Sequence, residues 1–307
     1  MMIDKLIEGI KQTKCPVCVG LDTMHTYLPE DFSIDRRNPL KSAAEGIYEF
    51  NKAIIDAVYD IVPSVKVQVA YYEQYGPYGM KAFQKTIAYA KKLGLVAIAD
   101  VKRNDIGSTA AAYSNAILGG LEMNGELMQP YNADFATVTG YLGTDGVKPF
   151  VEDCKKYGKG IFVLVKTSNP SGGEIQDLRV YRRNVYLRMA DLVKEWGKDL
   201  IGEYGYSSVG AVVGATYKEQ AAMLRKKYPE MFFLVPGYGA QGATADDIVV
   251  NFDQFGMGAV VNSSRGILLA YRKPQYAGMT FAEAARAATL DMKDDILGAF
   301  QRNGIEI

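Results

Sequence analysis

Histidine and cysteine are scarce in this chain, and their scarcity narrows what it can do. There is one histidine, His25, and there are three cysteines, Cys15, Cys18 and Cys154, in 307 residues. Three thiols cannot make a disulfide framework, which agrees with a reducing compartment. Cys15-Pro16-Val17-Cys18 followed by His25 imitates part of a zinc site, but a structural site takes four ligands and Cys154 is remote in sequence. The simpler reading is two small apolar residues entering a buried strand. Net charge is missing as well, since 35 basic residues balance 35 acidic ones. No overall field draws the chain to nucleic acid or to a membrane surface, so any anion it binds must be held locally. No run of about 18 apolar residues could span a bilayer, and the opening stretch lacks the apolar core and cleavage site of a secretory signal. A cytoplasmic protein is expected. Low-complexity tracts, charge blocks and linkers are absent too, so one domain over 1–307 is expected.

What the chain has is apolar material and glycine. Hydrophobic residues make up 48% and there are 31 glycines, enough for a large core with many tight turns. Eight short apolar runs recur, at 17–22, 64–71, 96–102, 135–140, 160–168, 209–215, 232–239 and 258–266. Each ends in glycine or a polar residue, and helical stretches lie between them, the pattern of repeated βα units. Several runs are continuously apolar, as strands covered on both faces must be. Helices are expected at 40–61, 110–123, 178–201, 218–227, 245–252 and 281–300. The clearest carries Ile47, Phe50, Ile54, Val58 and Ile61 on one stripe. Eight strands point to a closed (β/α)8 barrel, which commonly takes roughly 250 residues. Two connections, 24–38 and 167–178, are long enough to be lids, and both follow strand ends at the face where barrel sites lie.

The third run ends in Asp100-Val101-Lys102-Arg103-Asn104-Asp105. Strand side chains alternate, so Asp100 and Lys102 should project to one side, with Asp105 in the following loop. Lys66 interrupts the apolar second run, and a buried ammonium needs a counter-charge, for which Asp100 on the next strand is suited. The bland alternative is a structural ion pair at a barrel rim. A second feature joins Pro236-Gly237-Tyr238-Gly239-Ala240-Gln241-Gly242 with Asn262-Ser263-Ser264-Arg265-Gly266. The loops after the last two strands form the usual phosphate site of such barrels, and Arg265 adds a charged fork of donors. Gly237, Gly239 and Gly242 also fit a dinucleotide fingerprint, but the acid expected about 20 residues on is missing. Plain turn glycines are the other alternative.

Together, Asp100-x-Lys102-x-x-Asp105-Ile106, Lys66, the glycine-rich loop and Arg265-Gly266 make the chain resemble orotidine 5'-phosphate decarboxylase. The Thr167-Ser168-Asn169-Pro170 segment and the length resemble that family's larger bacterial type, and the resemblance spans Asp22 to Arg265. It implies a TIM barrel of the ribulose-phosphate-binding type that converts orotidine 5'-phosphate to UMP and CO2 in de novo pyrimidine biosynthesis. It implies no metal, no organic cofactor, and a homodimer with shared active sites. By the same resemblance Lys102 stabilises a C6 carbanion and protonates it, with Asp100, Lys66 and Asp105 completing the catalytic set. Asp22 would bind the ribose, while Asp105, Ile106 and Thr109 would reach into the other subunit's site. Ser168, or Thr167 beside it, would bind the pyrimidine, and Gln241, Arg265 and Gly266 the phosphate. Two rivals stand beside this reading: a Mg²⁺-dependent sugar-phosphate decarboxylase of the keto-gulonate phosphate kind, which carries a carboxylate in place of Lys66, and a silent nucleotide-phosphate sensor on the same scaffold.

Overall fold

The computed structural model describes residues 1–239 and 242–307. Eight parallel strands close into a barrel: β1 (Val17–Gly20), β2 (Ser64–Gln68), β3 (Val96–Arg103), β4 (Phe135–Val138), β5 (Gly160–Lys166), β6 (Ser207–Val213), β7 (Met231–Pro236) and β8 (Ala259–Ser263). Each neighbours the next in chain order, and β8 returns to β1 with Val17 opposite Val261. All eight expected strands are present. Most stop short of their expected C-terminal ends, because the chain leaves the sheet there to build the loops of the upper face. After β2, for example, Ala70–Glu73 is already a helical turn.

Alternation along the strands sorts the core into two layers. Outward residues such as Val19, Val67, Ala97, Val163 and Val235 meet the surrounding helices. Inward residues Val96, Ile98, Phe135, Phe162, Phe232 and Val260 fill the barrel, with the Phe135 and Phe162 rings stacked at 4.8 Å. The helix Met2–Thr13 plugs the lower end with Ile3, Leu6, Ile7 and Ile10, each fully buried. This helix was not among those expected, although its apolar spacing is helical. Two more were missed, Gly76–Lys92 and Thr144–Tyr157.

The expected stripe is found on Pro39–Val58, which gives way before Ile61 to a turn in which Ile61 N and Val62 N both donate to Val58 O; Pro63 then keeps Val62 out of a helical conformation. Phe281–Arg302 packs outside as expected and opens on a capping box, Thr280 accepting from Glu283 N while Glu283 accepts from Thr280 N. The helix expected at 245–252 covers Ala245–Ile248 and goes on as a 3-10 turn, Val249–Asn251, and two other expected helices lose one end to a hairpin. Gly107–Ile117 stops before Gly119-Gly120, and Leu121–Met123 instead pairs antiparallel with Glu126–Met128. The turn is Asn124-Gly125, both at positive φ (54° and 81°), the geometry a two-residue hairpin demands. Likewise Val185–Gly197 is preceded by a hairpin, Arg179–Val180 against Arg183–Asn184, where a helix was expected. Its turn residues Tyr181 and Arg182 sit at φ 47° and 65° without a glycine or asparagine to announce it.

Candidate active site

Four charged side chains meet at the upper end of β1, β2 and β3. Gly20 is the partner of Lys66, and Gln68 is the partner of Asp100, so the closed register sets these positions side by side. Lys66 Nζ lies 3.1 Å from Asp22 Oδ1 and 3.0 Å from Asp100 Oδ2, and Lys102 Nζ lies 2.6 Å from Asp100 Oδ1. Burial opposes the charge on Asp100, but Lys66, Lys102 and the hydrogen bonds from Lys102 and Thr137 outweigh it and hold the carboxyl well below the usual range. Burial likewise opposes the Lys66 ammonium, and Asp22 and Asp100 reverse that, raising its pKa. With two acids and two lysines the cluster carries no net charge, which is what allows it to persist inside a barrel. Gly20 is required by crowding: a Cβ there would lie 2.0 Å from Ser264 Oγ, the hydroxyl that donates to Asp22 Oδ2.

Asp100 and Lys102 converge as expected, but not by simple alternation. Lys102 has φ +45°, and the β3–β4 register shifts between Ala99 and Arg103. Three partners of the array escaped the sequence reading. Thr137 donates to Asp100 Oδ1 at 2.8 Å, Gln68 donates to Asp100 Oδ2 at 2.8 Å, and Ser264 donates to Asp22. Thr137 left one trace, a lone hydroxyl in the apolar run Phe135-Ala136-Thr137-Val138. Such a signal is weak: Lys166 interrupts β5 in the same way, yet it is fully buried against Asp177 at 2.8 Å and anchors the loop after β5.

Asp22, Lys66, Asp100, Lys102, Ser168 and Arg265 all line one open cleft of about 1060 Å³. Arg265 is exposed on its wall at the start of the short helix Arg265–Leu268. Ser264 lines the cleft while Gly266 does not, and the Gly266 carbonyl accepts from Lys273 Nζ at 2.9 Å. In the glycine-rich loop Gly239 N donates to Ala243 O and Gly242 N to Gly239 O, both at 3.0 Å, so those two amides serve the loop itself. Gln241 lies outside the described residues. Between the two pyrimidine candidates, the Thr167 hydroxyl is taken up by Asn169 and Gln176, both at 2.6 Å, which favours Ser168. Asp105, Ile106 and Thr109 stand apart from the array within this chain: Asp105 Oδ1 accepts from Ile106 N at 2.8 Å, and Ile106 and Thr109 are exposed. Cys15 and Cys18 are free and buried, their thiols pushed up to about 11 and about 12 by burial, and His25 Nδ1 sits 2.9 Å from the Tyr75 hydroxyl. Among the described residues no group of three or more His, Cys, Asp or Glu side chains could hold a metal ion.

The model of the orotidine 5'-phosphate decarboxylase / HUMPS family matches residues 16–281. The chain belongs to that family. An orotidine 5'-phosphate decarboxylase of Rhodopirellula baltica is 45% identical over 299 residues, covering 96% of this chain and 98% of the relative. One of Clostridium acetobutylicum is 42% identical over 297 residues, covering 96% and 99%. Among solved structures, Leishmania donovani OMP decarboxylase superposes with a TM-score of 0.71 at 27% identity over 98% of both chains. A Plasmodium berghei orotidine 5'-monophosphate decarboxylase superposes at 0.79 with 20% identity, over 97% of this chain and 98% of its own, and bears on the fold alone. The family activity, decarboxylation of orotidine 5'-phosphate in pyrimidine biosynthesis, is the carboxy-lyase reaction these relatives are named for. Neither rival, the metal-dependent decarboxylase or the silent sensor, finds support among them. No helix of the described residues is long and apolar enough to cross a membrane.

Proposed function

We propose that this chain releases CO2 from C6 of orotidine 5'-phosphate and delivers a proton from Lys102 to the same carbon, giving UMP without metal or organic cofactor. The observation that carries this reading is the run of ion pairs Asp22, Lys66, Asp100, Lys102 on the wall of a cleft that also holds Arg265. Breaking the bond from C6 to the carboxylate leaves its electron pair on a carbon with little means to delocalise it. Stabilisation must then come from charges already in place. The Lys102 ammonium is such a charge, 46% exposed toward the cleft and anchored to Asp100. Its N–H bond breaks as the new C–H bond forms, and the amine regains a proton from water. Asp100 stays ionised, holds Lys102, and repels the departing carboxylate in the ground state.

Asp22 and Lys66 face the ribose in this reading, Ser168 the pyrimidine, and Arg265 with Gly266 and Gln241 the phosphate. The phosphate is remote from C6, so its binding energy is available to close the loops over the reacting atoms and exclude water. Lys66 also argues against a divalent cation, since an ammonium already neutralises the two acids that would have to hold one. Asp105, Ile106 and Thr109 enter through a second copy of the chain. Ile106, Leu121, Met123, Leu127 and Met128 are exposed along that stretch, an apolar surface suited to such a partner. We place the homodimer, a single domain over 1–307, in the cytoplasm.

Turnover of orotidine 5'-phosphate followed by absorbance in excess EDTA is the direct test. Undiminished UMP formation is expected. No turnover, or turnover restored only by Mg²⁺, refutes the proposal, and sedimentation as a monomer at all concentrations removes the shared site.

A further inference from the structure

Lys102 and Asp100 meet across a stretch of β3 that is not regular strand. Pairing with β4 runs through Ala99 opposite Ala136 and resumes only at Arg103 opposite Val138. Four residues of advance on β3 are matched by two on β4, and Lys102 sits within the excess at φ +45°. Of its neighbours in sequence, Arg103 donates from Nη1 to the Val101 carbonyl at 3.3 Å and leaves the Val101 and Lys102 amides to another acceptor. The residue that faces this stretch is Thr137, 1% exposed and on the cleft wall. Its hydroxyl accepts from Val101 N and from Lys102 N, each at 3.0 Å, and donates to Asp100 Oδ1 at 2.8 Å.

A threonine hydroxyl has one proton and two lone pairs, so every hydrogen-bonding capacity of this one is in use. Two consecutive amides that the register shift removes from the ladder find their acceptor here, and buried amides need one. The proton goes to the same carboxylate oxygen that accepts Lys102 Nζ at 2.6 Å. Backbone and side chain of the proton donor are therefore tied to one atom. Gln68 differs in kind, because its amide nitrogen steadies the other oxygen of Asp100 at 2.8 Å without touching the Lys102 backbone.

We infer that Thr137 is a positioning residue of the reaction: through its oxygen it sets the left-handed backbone of Lys102 and the orientation of the Asp100 carboxylate together, so that the ammonium arrives at the cleft in one register. The inference rests on Lys102 being the proton donor. It assigns the effect to the hydroxyl and not to the bulk of the side chain.

Three variants test this by steady-state kinetics. Thr137→Ser keeps the oxygen and deletes the methyl; Thr137→Cys deletes the same methyl and replaces oxygen by sulfur; Thr137→Val keeps the shape and removes the hydrogen bonds. A misplacement of about 1 Å lowers a rate by about 100-fold, so kcat should fall by that order in the Cys and Val variants. KM should stay within about threefold, the signature of an interaction that matters in the transition state. The Ser variant should keep kcat within about threefold of the unaltered protein. Equal kcat in the Ser and Cys variants, or a loss confined to KM, overturns the inference. Should Thr137→Val not fold, judged by circular dichroism, the Ser and Cys pair decides alone, since both lose the same methyl. Lys102→Ala run alongside separates the two ideas: retained activity there sinks the proton-donor reading itself, whereas an inactive Lys102→Ala with matching Ser and Cys variants sinks only the role of Thr137.

Discussion

The lower and upper ends of this barrel are built from the same eight strands and differ in what points inward. Below, Val96, Ile98, Phe135, Phe162 and Phe232 pack on one another and on the helix Met2–Thr13. Above, the next inward positions of β2 and β3 are Lys66, Gln68 and Asp100, with Thr137 on β4. The lower end is close-packed and needs nothing further, so it supplies stability, while the upper end leaves a cleft bordered by paired charges. Charge by itself does not make a site. At the lower rim Asp134 binds Lys91 at 2.9 Å with Lys159 at 3.8 Å, where burial and Lys91 push the Lys159 amine down to about 8. That group lines neither the cleft nor any part of its wall. It joins the end of helix Gly76–Lys92 to the foot of β4.

Each end can be broken separately. The largest effect belongs to the upper one: Lys102→Ala should lower kcat by about 10²–10⁴-fold, with the far-UV spectrum and the unfolding midpoint little changed. Survival of more than a tenth of the activity would dissolve the functional half of the contrast. Next comes the lower end, where Phe162→Ala should destabilise the fold by about 3–5 kcal/mol in urea titrations, while kcat per folded molecule is retained. A comparable fall in kcat would mean the two ends are not independent. Arg265→Ala should raise KM for the phosphorylated substrate by about 10–100-fold and leave inhibition by the free nucleoside almost unaltered, as expected for loss of a charged hydrogen bond worth about 1.5–3 kcal/mol. Equal losses for both would take Arg265 out of the phosphate site.

The smallest effect is one of pH. Asp100 has a folded pKa below its unfolded one. It therefore binds fewer protons when folded, and its contribution to stability is present above the unfolded carboxylate value of about 3.9 and fades as pH falls from there toward the folded value. Asp100→Asn should flatten the acid side of a plot of Tm against pH. An unchanged slope would mean other carboxylates dominate there.

Part of this organisation was readable before any fold was known. Lys66 announced itself because an ammonium inside Val65-Lys66-Val67 has to be paired. The helix stripe on Pro39–Val58 was equally open to reading. The hairpin at Leu121–Met128 could have been read from Asn124-Gly125. The other, at Tyr181-Arg182, could not, because its turn places ordinary L-residues in a conformation that destabilises each by roughly 1–2 kcal/mol and leaves no mark in composition. Thr137 stayed hidden for a different reason: a hydroxyl within a strand is unremarkable until the neighbouring strand is known to be irregular.

By itself, then, the order of residues determined which segments are strands, which side chains alternate inward, and that a lysine in β2 needs an acid, since all of these follow from local periodicity and from the energy of a buried charge. Strand pairing and the closure of the barrel decided the rest. They brought Asp22 to Lys66 across 44 positions of chain and Ser264 to Asp22 across 242. They also shifted β3 against β4 so that one threonine oxygen holds the Lys102 backbone. These are contacts between separate strands, consecutive ones or the first and the last, and only the register of the closed sheet specifies them.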